Sequence, residues 1–195
     1  MEFENTLAVY VSPGFQALCG QFQDTTTLDI LEMGPSSSRN IEFWSQYCRS
    51  IFVANLRASL PLPSMEEDQI LNEMEWNAIL NIPGDRNFDV ILAWDLLNYI
   101  DERLLPGMIN YLNRYCKSGT KLFAMTIDRP QMPADGYVFQ IIDVDHLGYK
   151  ASNSPLEPCA MLQPRVFENV MQGFHTTIAC RLRHGIIEYL FTFDG

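Results

Sequence analysis

The stretch that decides the fold is residues 28–44, Leu-Asp-Ile-Leu-Glu-Met-Gly-Pro-Ser-Ser-Ser-Arg-Asn-Ile-Glu-Phe-Trp. It begins as a short apolar run that ends in an acid, Glu32, and a turn of small residues follows. Ile41, Trp44 and Cys48 then recur at steps of three and four, which predicts a helix with one apolar face. Strand, small-residue turn and helix are typical of sites for nucleotide-like ligands, because the turn lets the backbone approach and the helix start offers free N–H groups.

The turn departs from the usual glycine-rich pattern. It reads E-x-G-x-S-x-S, with Gly34, Ser36 and Ser38 where three glycines are common. Serine takes more room than glycine and disfavours a positive φ, although its hydroxyl can donate to a ligand. An ordinary strand-to-helix connection is the alternative interpretation of these residues.

The rest of the chain alternates apolar runs with helical patterns. Strands are predicted at 50–56, 88–94 and 120–127, and helices at 65–82, at 102–116 and from 164 to 173. Lys117 and Gly119 are expected to end the second of these helices. The last strands, at 176–182 and 186–193, form a hairpin around Arg183-His184-Gly185.

This order predicts one α/β domain over residues 1–195, a Rossmann-like three-layer sandwich with a mostly parallel sheet and a C-terminal antiparallel hairpin. Residues 1–27 are expected to be a helical segment, or a pair of turns, lying over the sheet. Residues 128–162 are expected to be an irregular insert with one strand at 137–144.

Composition excludes several classes of function. The chain has 195 residues, 47% of them hydrophobic, and a formal net charge of -11, so we expect a globular protein that does not bind nucleic acid. The five cysteines are widely spaced and form no C-x-x-C pair, so the sequence predicts neither a disulfide framework nor a zinc site. The acidic N-terminus lacks a leader pattern, and no apolar run approaches membrane-spanning length. We therefore expect a cytoplasmic protein that does not bind membranes.

The first strand and its turn, together with the closing helix and hairpin, resemble the class I S-adenosylmethionine-dependent methyltransferases. The resemblance covers residues 28–193 and depends on two motifs, 28–38 and 88–99. It implies S-adenosylmethionine as the cofactor and methyl transfer to a small molecule or a protein side chain. A D/N-P-P-Y/F/W motif, the signature of enzymes that methylate nucleic-acid amino groups, is missing at Trp94-Asp95-Leu96-Leu97.

The resemblance also implies a set of cofactor-binding residues. Glu32 would lie near the methionine moiety, the backbone of the turn would line the cofactor, and Asn55 stands where the family usually has an acid for the ribose hydroxyls. Residues at the end of the strand at 88–94 would close the site. The full set is Glu32, Gly34, Pro35, Ser36, Ser38, Asn55, Leu56, Trp94, Asp95 and Leu96.

Candidate catalytic residues follow the strand at 88–94. Asp95, Asn98 and Tyr99 come just after its carboxyl end, where α/β sheets place their ligands. Asp95 would be a general base or would orient the substrate; alternatively it caps the next helix while Tyr99 packs. Within the insert, four side chains are candidates for lining a substrate pocket: Met132, Tyr137, Phe139 and Tyr149.

Two further functions remain open from sequence. Because Ser36, Ser38 and Asn55 depart from the family pattern, a methyltransferase-like protein without activity, acting as a binding or regulatory partner, is the first alternative. The second is a metal-dependent glycosyltransferase that uses the D-x-D pair Asp143 and Asp145, since carboxylates suit hard cations. A protein partner or a homo-oligomer is compatible with each of these.

Overall fold

The computed structural model describes residues 7–22, 27–60, 62, 71–183 and 185–195. Eleven strands and five helices follow one another within these ranges. The strands are β1 (Ala8–Val11), β2 (Leu28–Glu32), β3 (Cys48–Val53), β4 (Phe88–Trp94), β5 (Cys116–Ile127), β6 (Gln131–Pro133), β7 (Tyr137–Ile141), β8 (His146–Ala151), β9 (Leu156–Pro158), β10 (Phe174–Arg181) and β11 (Ile186–Phe193). The helices are α1 (Pro13–Gly20), α2 (Ser38–Trp44), α3 (Glu73–Leu80), α4 (Leu105–Asn113) and α5 (Pro164–Val170).

The main sheet has the strand order β10-β11-β5-β4-β2-β3. Its four strands β3, β2, β4 and β5 are parallel, whereas β11 runs antiparallel to both β5 and β10. The predicted α/β class, with a mostly parallel sheet and an antiparallel hairpin, is therefore confirmed. The chain passes outward from β2 to β3 and then continues on the other side of β2 with β4, so the strand order reverses between β2 and β4.

Alternate residues of the central strands enter two different cores. Leu31 and Ile91 belong to the core that also contains residues of α3, α4 and α5. Ile30 and Leu92 belong to the opposite core, with residues of α1 and α2. This alternation follows from the two-residue period of a strand, and it confirms the three-layer arrangement.

The prediction for the first 27 residues was incomplete. Residues 1–6 and 23–26 lie outside the described ranges. The remainder contains α1 as expected, but β1 precedes it and pairs antiparallel with β8. Such a short strand gives a weak pattern on its own, because its partner lies far along the chain.

The insert is more regular than predicted. Its strand at 137–144 appears as β7, which pairs with β8, and β1 completes a three-stranded antiparallel sheet in the order β1-β8-β7. A further pair, β6 and β9, was not predicted. Prolines at 130, 133, 155 and 158 suggested irregular structure, yet Pro133 and Pro158 lie within these two short strands, at strand edges that tolerate proline.

The predicted end of the helix at 102–116 was wrong. Lys117 and Gly119 belong to β5, which begins at Cys116 directly after α4. Gly119 has φ +89°, and the Thr120 hydroxyl donates to the carbonyl of Phe88 at 2.6 Å. These features accommodate a shift in register between β4 and β5. Residues 116–119 therefore continue a strand through an irregularity instead of terminating a helix.

Other boundaries differ by a few residues. The strand predicted at 50–56 is β3, displaced toward the N-terminus, and the one predicted at 176–182 is β10. The helix predicted at 65–82 is represented by α3, while residues 65–70 and His184 of the hairpin loop lie outside the described ranges. Within those ranges, none of the helices is long and apolar enough to span a membrane. All five cysteines are free thiols.

A buried carboxylate attaches the N-terminal segment to the main sheet. Glu188 on β11 is 0% exposed; it accepts hydrogen bonds from the Ser12 hydroxyl at 2.5 Å and from the Gly14 N–H at 2.9 Å. Ser12 is also the N-cap of α1 and accepts from the Phe15 N–H. One carboxylate therefore fixes both the start of α1 and its position on the sheet.

Two glycines of α1 provide a matched test of this contact. A Cβ on Gly14 would lie 3.1 Å from Glu188 and from the Phe123 ring, whereas a Cβ on Gly20 would meet nothing within 4 Å. We expect Gly14→Ala to lower the free energy of unfolding by about 1–3 kcal/mol through overpacking. Gly20→Ala should leave it unchanged or raise it by up to about 1 kcal/mol, because alanine is the better helix former. Urea denaturation measures both, and equal effects of the two variants would contradict the packing described for α1.

Candidate functional site

The candidate site lies where the strand order reverses. In open α/β sheets, ligands bind in the crevice at the carboxyl ends of the strands that flank such a reversal. Here these strands are β2, which ends at Glu32, and β4, which ends at Trp94. The turn after β2 and the turn after β3 border the same edge, and the insert covers it.

Glu32 and Trp94 meet across this crevice. The Trp94 Nε1–H donates to Glu32 Oε1 at 2.5 Å, and the Gly34 N–H donates to the same oxygen at 3.2 Å. Both side chains are buried, with 2% and 3% exposure. Burial raises the pKa of Glu32 to about 8, against the opposing effect of these two hydrogen bonds.

The crevice itself is nearly filled. A Cβ placed on Gly34 would lie 3.0 Å from Trp94 Cδ1, so the indole covers the glycine directly. Phe139 of β7 stacks on the indole with centroids 5.5 Å apart and an interplanar angle of 6°. The remaining space has a volume of about 10 Å³. Residues that line it are Gly34, Pro35, Arg57, Trp94, Asp95, Leu96, Asp135, Tyr137 and Phe139.

A much larger cavity, of about 800 Å³, adjoins the crevice. The turns after β2, β3 and β4 contribute Pro35, Asn55 and Tyr99 to its wall, and the insert forms the opposite side. Its size is that of a small-molecule pocket. We call it the strand-end cavity.

Asn55 lies in the wall of this cavity. It lines the strand-end cavity, and its buried Oδ1 has no hydrogen-bond partner among the described residues. Its backbone has φ 27°, a left-handed conformation that asparagine tolerates better than most residues. Asn55 therefore places an amide side chain beside the cavity, where it can contribute to binding a polar ligand.

Arg57 is a site residue that the sequence analysis missed. Its guanidinium lies 3.5 Å from the centroid of the Tyr99 ring and donates to the carbonyls of Pro133 and Ala134. It lines both the crevice and the strand-end cavity, and it connects the turn after β3 to the insert. A cationic side chain two residues after Asn55 was the available signal in the sequence.

The three candidate catalytic residues differ in how their polar atoms are used. Asn98 is buried, and its amide pairs with Ile127 and with the Ala160 carbonyl. Tyr99 donates to the Pro133 carbonyl at 3.1 Å. Asp95 accepts a long hydrogen bond, 3.3 Å, from the Tyr137 N–H, and burial raises the pKa of Asp95 to about 6 against the opposing charge of Arg57.

The other predicted cofactor residues are not all in one place. Leu56 is 0% exposed and packs in the core next to α3 and α4. The Ser36 hydroxyl is buried without a partner among the described residues, while Ser38 is exposed at the start of α2. Of the four insert side chains, Tyr137 and Phe139 line the crevice. Met132 and Tyr149 do not, and all four side chains pack in one core.

Asp143 and Asp145 lie in the exposed turn between β7 and β8. Both carboxylates contact His146 Nδ1, at 3.0 and 2.7 Å. The three side chains could together hold a metal ion. Neither aspartate lines the crevice or the strand-end cavity, however, so the glycosyltransferase alternative gains no support from their position.

We expect the Glu32→Gln substitution to flatten the pH dependence of stability. The pKa of Glu32 is about 8 in the folded state, against an ordinary value of 4.5, so the folded state retains a proton that the unfolded chain releases. The contribution of Glu32 to the free energy of unfolding is fully present below about pH 4.5 and is lost as the pH rises through about 8.

The free energy of unfolding should therefore fall between pH 5 and pH 8, by at most about 1.4 kcal/mol per pH unit for this group. Urea denaturation across this range measures the fall, which should be smaller in Glu32→Gln. The exposed Glu42 on α2 offers a control, because Glu42→Gln should leave the profile unchanged. An identical profile in wild type and Glu32→Gln would contradict the proposed titration of Glu32.

Several solved structures similar to this chain are methyltransferases. A S-adenosylmethionine-dependent methyltransferase from Clostridium acetobutylicum has 12% identity and a TM-score of 0.56, over 92% of this chain and 89% of that one. One from Mesorhizobium loti has 12% identity and a TM-score of 0.55, over 90% and 95%.

A third similar structure is the 1,6-didemethyltoxoflavin-N1-methyltransferase of Burkholderia thailandensis, solved with 1,6-didemethyltoxoflavin and S-adenosylhomocysteine. It has 10% identity and a TM-score of 0.50, over 94% of this chain and 78% of that one. No family model matches the sequence, and no curated protein does. The strand order, the crevice between β2 and β4 and these similarities agree, and the chain has the fold of the class I S-adenosylmethionine-dependent methyltransferases.

Proposed function

We propose that this protein is a S-adenosylmethionine-dependent methyltransferase that acts on a small molecule. The observation that carries the proposal is the strand-end cavity, of about 800 Å³, at the carboxyl ends of β3 and β4, with Asn55 in its wall. The Asn55 side chain has an amide oxygen that can accept from a ribose hydroxyl. The fold supports the same assignment, because α/β sheets bind ligands at the carboxyl ends of their strands.

The residues fit the two ends of the cofactor unequally. The nucleoside end fits the strand-end cavity, where Asn55 would accept from ribose and the turn after β4 would border the base. The amino-acid end fits the crevice only when the Trp94 indole leaves it, because about 10 Å³ remain there. When bound, the cofactor supplies an electrophilic methyl group; the protein's task is to align the acceptor with it and to exclude water.

Asp95 is the residue that we propose for proton transfer from the acceptor. It follows β4 at the border of the crevice, and its pKa of about 6 suits a base that works near neutral pH. The insert, through Ala134, Val138 and Glu157, forms the far wall of the strand-end cavity. A small acceptor held there would lie between the insert and the strand ends.

Calorimetric titration of the wild-type protein with S-adenosylmethionine and S-adenosylhomocysteine tests the proposal. We expect micromolar dissociation constants, equivalent to about -8 kcal/mol. Absence of both heat and thermal stabilisation at millimolar ligand would overturn the proposed function.

That negative result would instead favour a second candidate function, a binding or regulatory protein without methyltransferase activity. The specific observation in its favour is the Trp94 indole, which occupies the crevice above Gly34. A protein of this kind would still be able to bind a ligand in the strand-end cavity. Titration with adenosine would detect such binding.

We expect the Asn55→Asp substitution to tighten S-adenosylhomocysteine binding several-fold. A carboxylate can accept both ribose hydroxyls, and charge-assisted hydrogen bonds are roughly twice as strong as neutral ones. Aspartate also tolerates the left-handed backbone at this position. Calorimetry measures the change, with Asn55→Ala expected to weaken binding.

Asn81 provides a matched control for this variant. It also has a positive φ, 47°, but it is exposed at the end of α3 and does not line the strand-end cavity. Asn81→Asp introduces the same charge and should leave the affinity unchanged. Equal affinities of Asn55→Asp and Asn81→Asp would show that Asn55 does not contact the ligand.

A further inference from the structure

We propose that Trp94 is a gate, a side chain whose position decides whether a ligand with an amino-acid tail can enter the crevice between β2 and β4. The inference rests on the proposed function, because it concerns the methionine end of the cofactor. It goes beyond that function because it names one side chain, Trp94, that controls whether the methionine end of a ligand can enter the crevice.

The closed position of the gate is defined by three contacts. The indole N–H donates to Glu32 at 2.5 Å, the ring lies against Gly34, and Phe139 stacks on the ring. Phe123 adds an edge contact with centroids 6.0 Å apart. The space left has room for about one water molecule. An amino-acid tail cannot share the crevice with the indole in this position.

Strand β7, which carries Phe139 over the gate, is fixed to the start of α2. The Asn40 side chain donates to the Phe139 carbonyl at 3.2 Å and accepts from the Ile141 N–H at 2.9 Å. The Arg39 guanidinium donates to the Ile141 carbonyl at 3.0 Å. These contacts hold β7 through its backbone, so opening by movement of the whole strand would break several hydrogen bonds. Rotation of the Trp94 side chain would break one.

The backbone at Trp94 departs from regular strand geometry. Trp94 has φ 48°, which is uncommon for a bulky residue and persists only where its surroundings hold it. A register shift between β4 and β5 falls just before it, between Leu92 and Trp94. The residue therefore stands at the irregular end of its strand, where a change of side-chain position disturbs little of the regular ladder.

The two cavities predict a difference between two ligands. The strand-end cavity, about 800 Å³, can receive a nucleoside without any change at Trp94. S-adenosylhomocysteine carries the same nucleoside with an amino-acid tail, which requires the crevice. Adenosine and S-adenosylhomocysteine thus form a pair of probes in which only one depends on the gate.

The experiment compares wild type with Trp94→Ala by calorimetry, using both probes. If the closed position is occupied nine times in ten or more, Trp94→Ala should bind S-adenosylhomocysteine about tenfold more tightly or better. Adenosine affinity should stay within about twofold of the wild-type value, because closure of the gate lowers the apparent affinity only for the ligand with an amino-acid tail. Trp94→Phe, which keeps a ring against Phe139 but loses the donor to Glu32, should lie between the two. Circular dichroism checks that each variant is folded.

A measurement on the unmutated sequence protects the test against misfolding of the variants. Wild-type protein labelled with 5-fluorotryptophan contains three fluorine reporters, at Trp44, Trp76 and Trp94. We expect S-adenosylhomocysteine to shift the Trp94 resonance, assigned by its loss in Trp94→Phe, and adenosine to leave it in place. A Trp94 resonance unmoved at saturating S-adenosylhomocysteine would overturn the gate.

The possible results separate the two proposals. Equal S-adenosylhomocysteine affinity in wild type and Trp94→Ala would overturn the gate and leave the proposed function standing. Binding by Trp94→Ala alone would support the gate and overturn the proposed function of the wild type. Failure of both proteins to bind S-adenosylhomocysteine would overturn both proposals, whatever adenosine does.

Discussion

The reversal of strand order between β2 and β4 is the constraint on which the rest of the site depends. It leaves the carboxyl ends of two buried strands side by side, with no connection crossing between them. Polar groups that follow these strands must then be satisfied in a region that the insert seals from water. The bond between Glu32 and Trp94 is one solution, because each side chain satisfies the other. The consequence is a site whose own residues compete with a ligand for the same space.

The elements that the sequence predicted well are those with strong local patterns. The strand at 88–94 is a continuous apolar run bounded by a turn, and the helix at Pro164 has a proline in its first turn, as expected for a helix start. The pattern failed where structure depends on distant partners. β1 exists because β8 offers it an edge, and Gly119 lies inside β5 because Thr120 and Phe88 accommodate the irregularity.

The candidate site divides in the same way. Position at or just after the end of a strand was enough to bring Glu32, Asn55, Asp95 and Trp94 to one edge of the sheet. The sequence did not indicate which of these side chains have polar atoms available to a ligand, because that depends on the side-chain rotamers and on the insert. Leu56 follows Asn55 directly and yet enters the core. Arg57, two residues on, reaches the site because Tyr99 supports its guanidinium from another turn.

Structural similarity at 10–12% sequence identity establishes the fold only, and the chemistry of the site must be argued from its individual residues. The detail here lies in the three-stranded sheet β1-β8-β7, which brings Phe139 and Tyr137 over the crevice. The core elements are those expected for the fold, whereas this small sheet shapes the ligand space. Substrate selection and access to the crevice should therefore vary with the insert more than with the main sheet.

The bond between Ser12 and Glu188 also bears on how the chain folds. It joins residues 176 positions apart, and α1 has no other buried carboxylate at its start among the described residues. During synthesis, β1 and α1 leave the ribosome long before β11. Until β11 emerges, Ser12 and Gly14 therefore lack the Glu188 carboxylate that accepts their hydrogen bonds. Contacts of such high sequence separation form late and slow folding. The attachment of α1 to the main sheet should accordingly be completed only after β11 has joined that sheet.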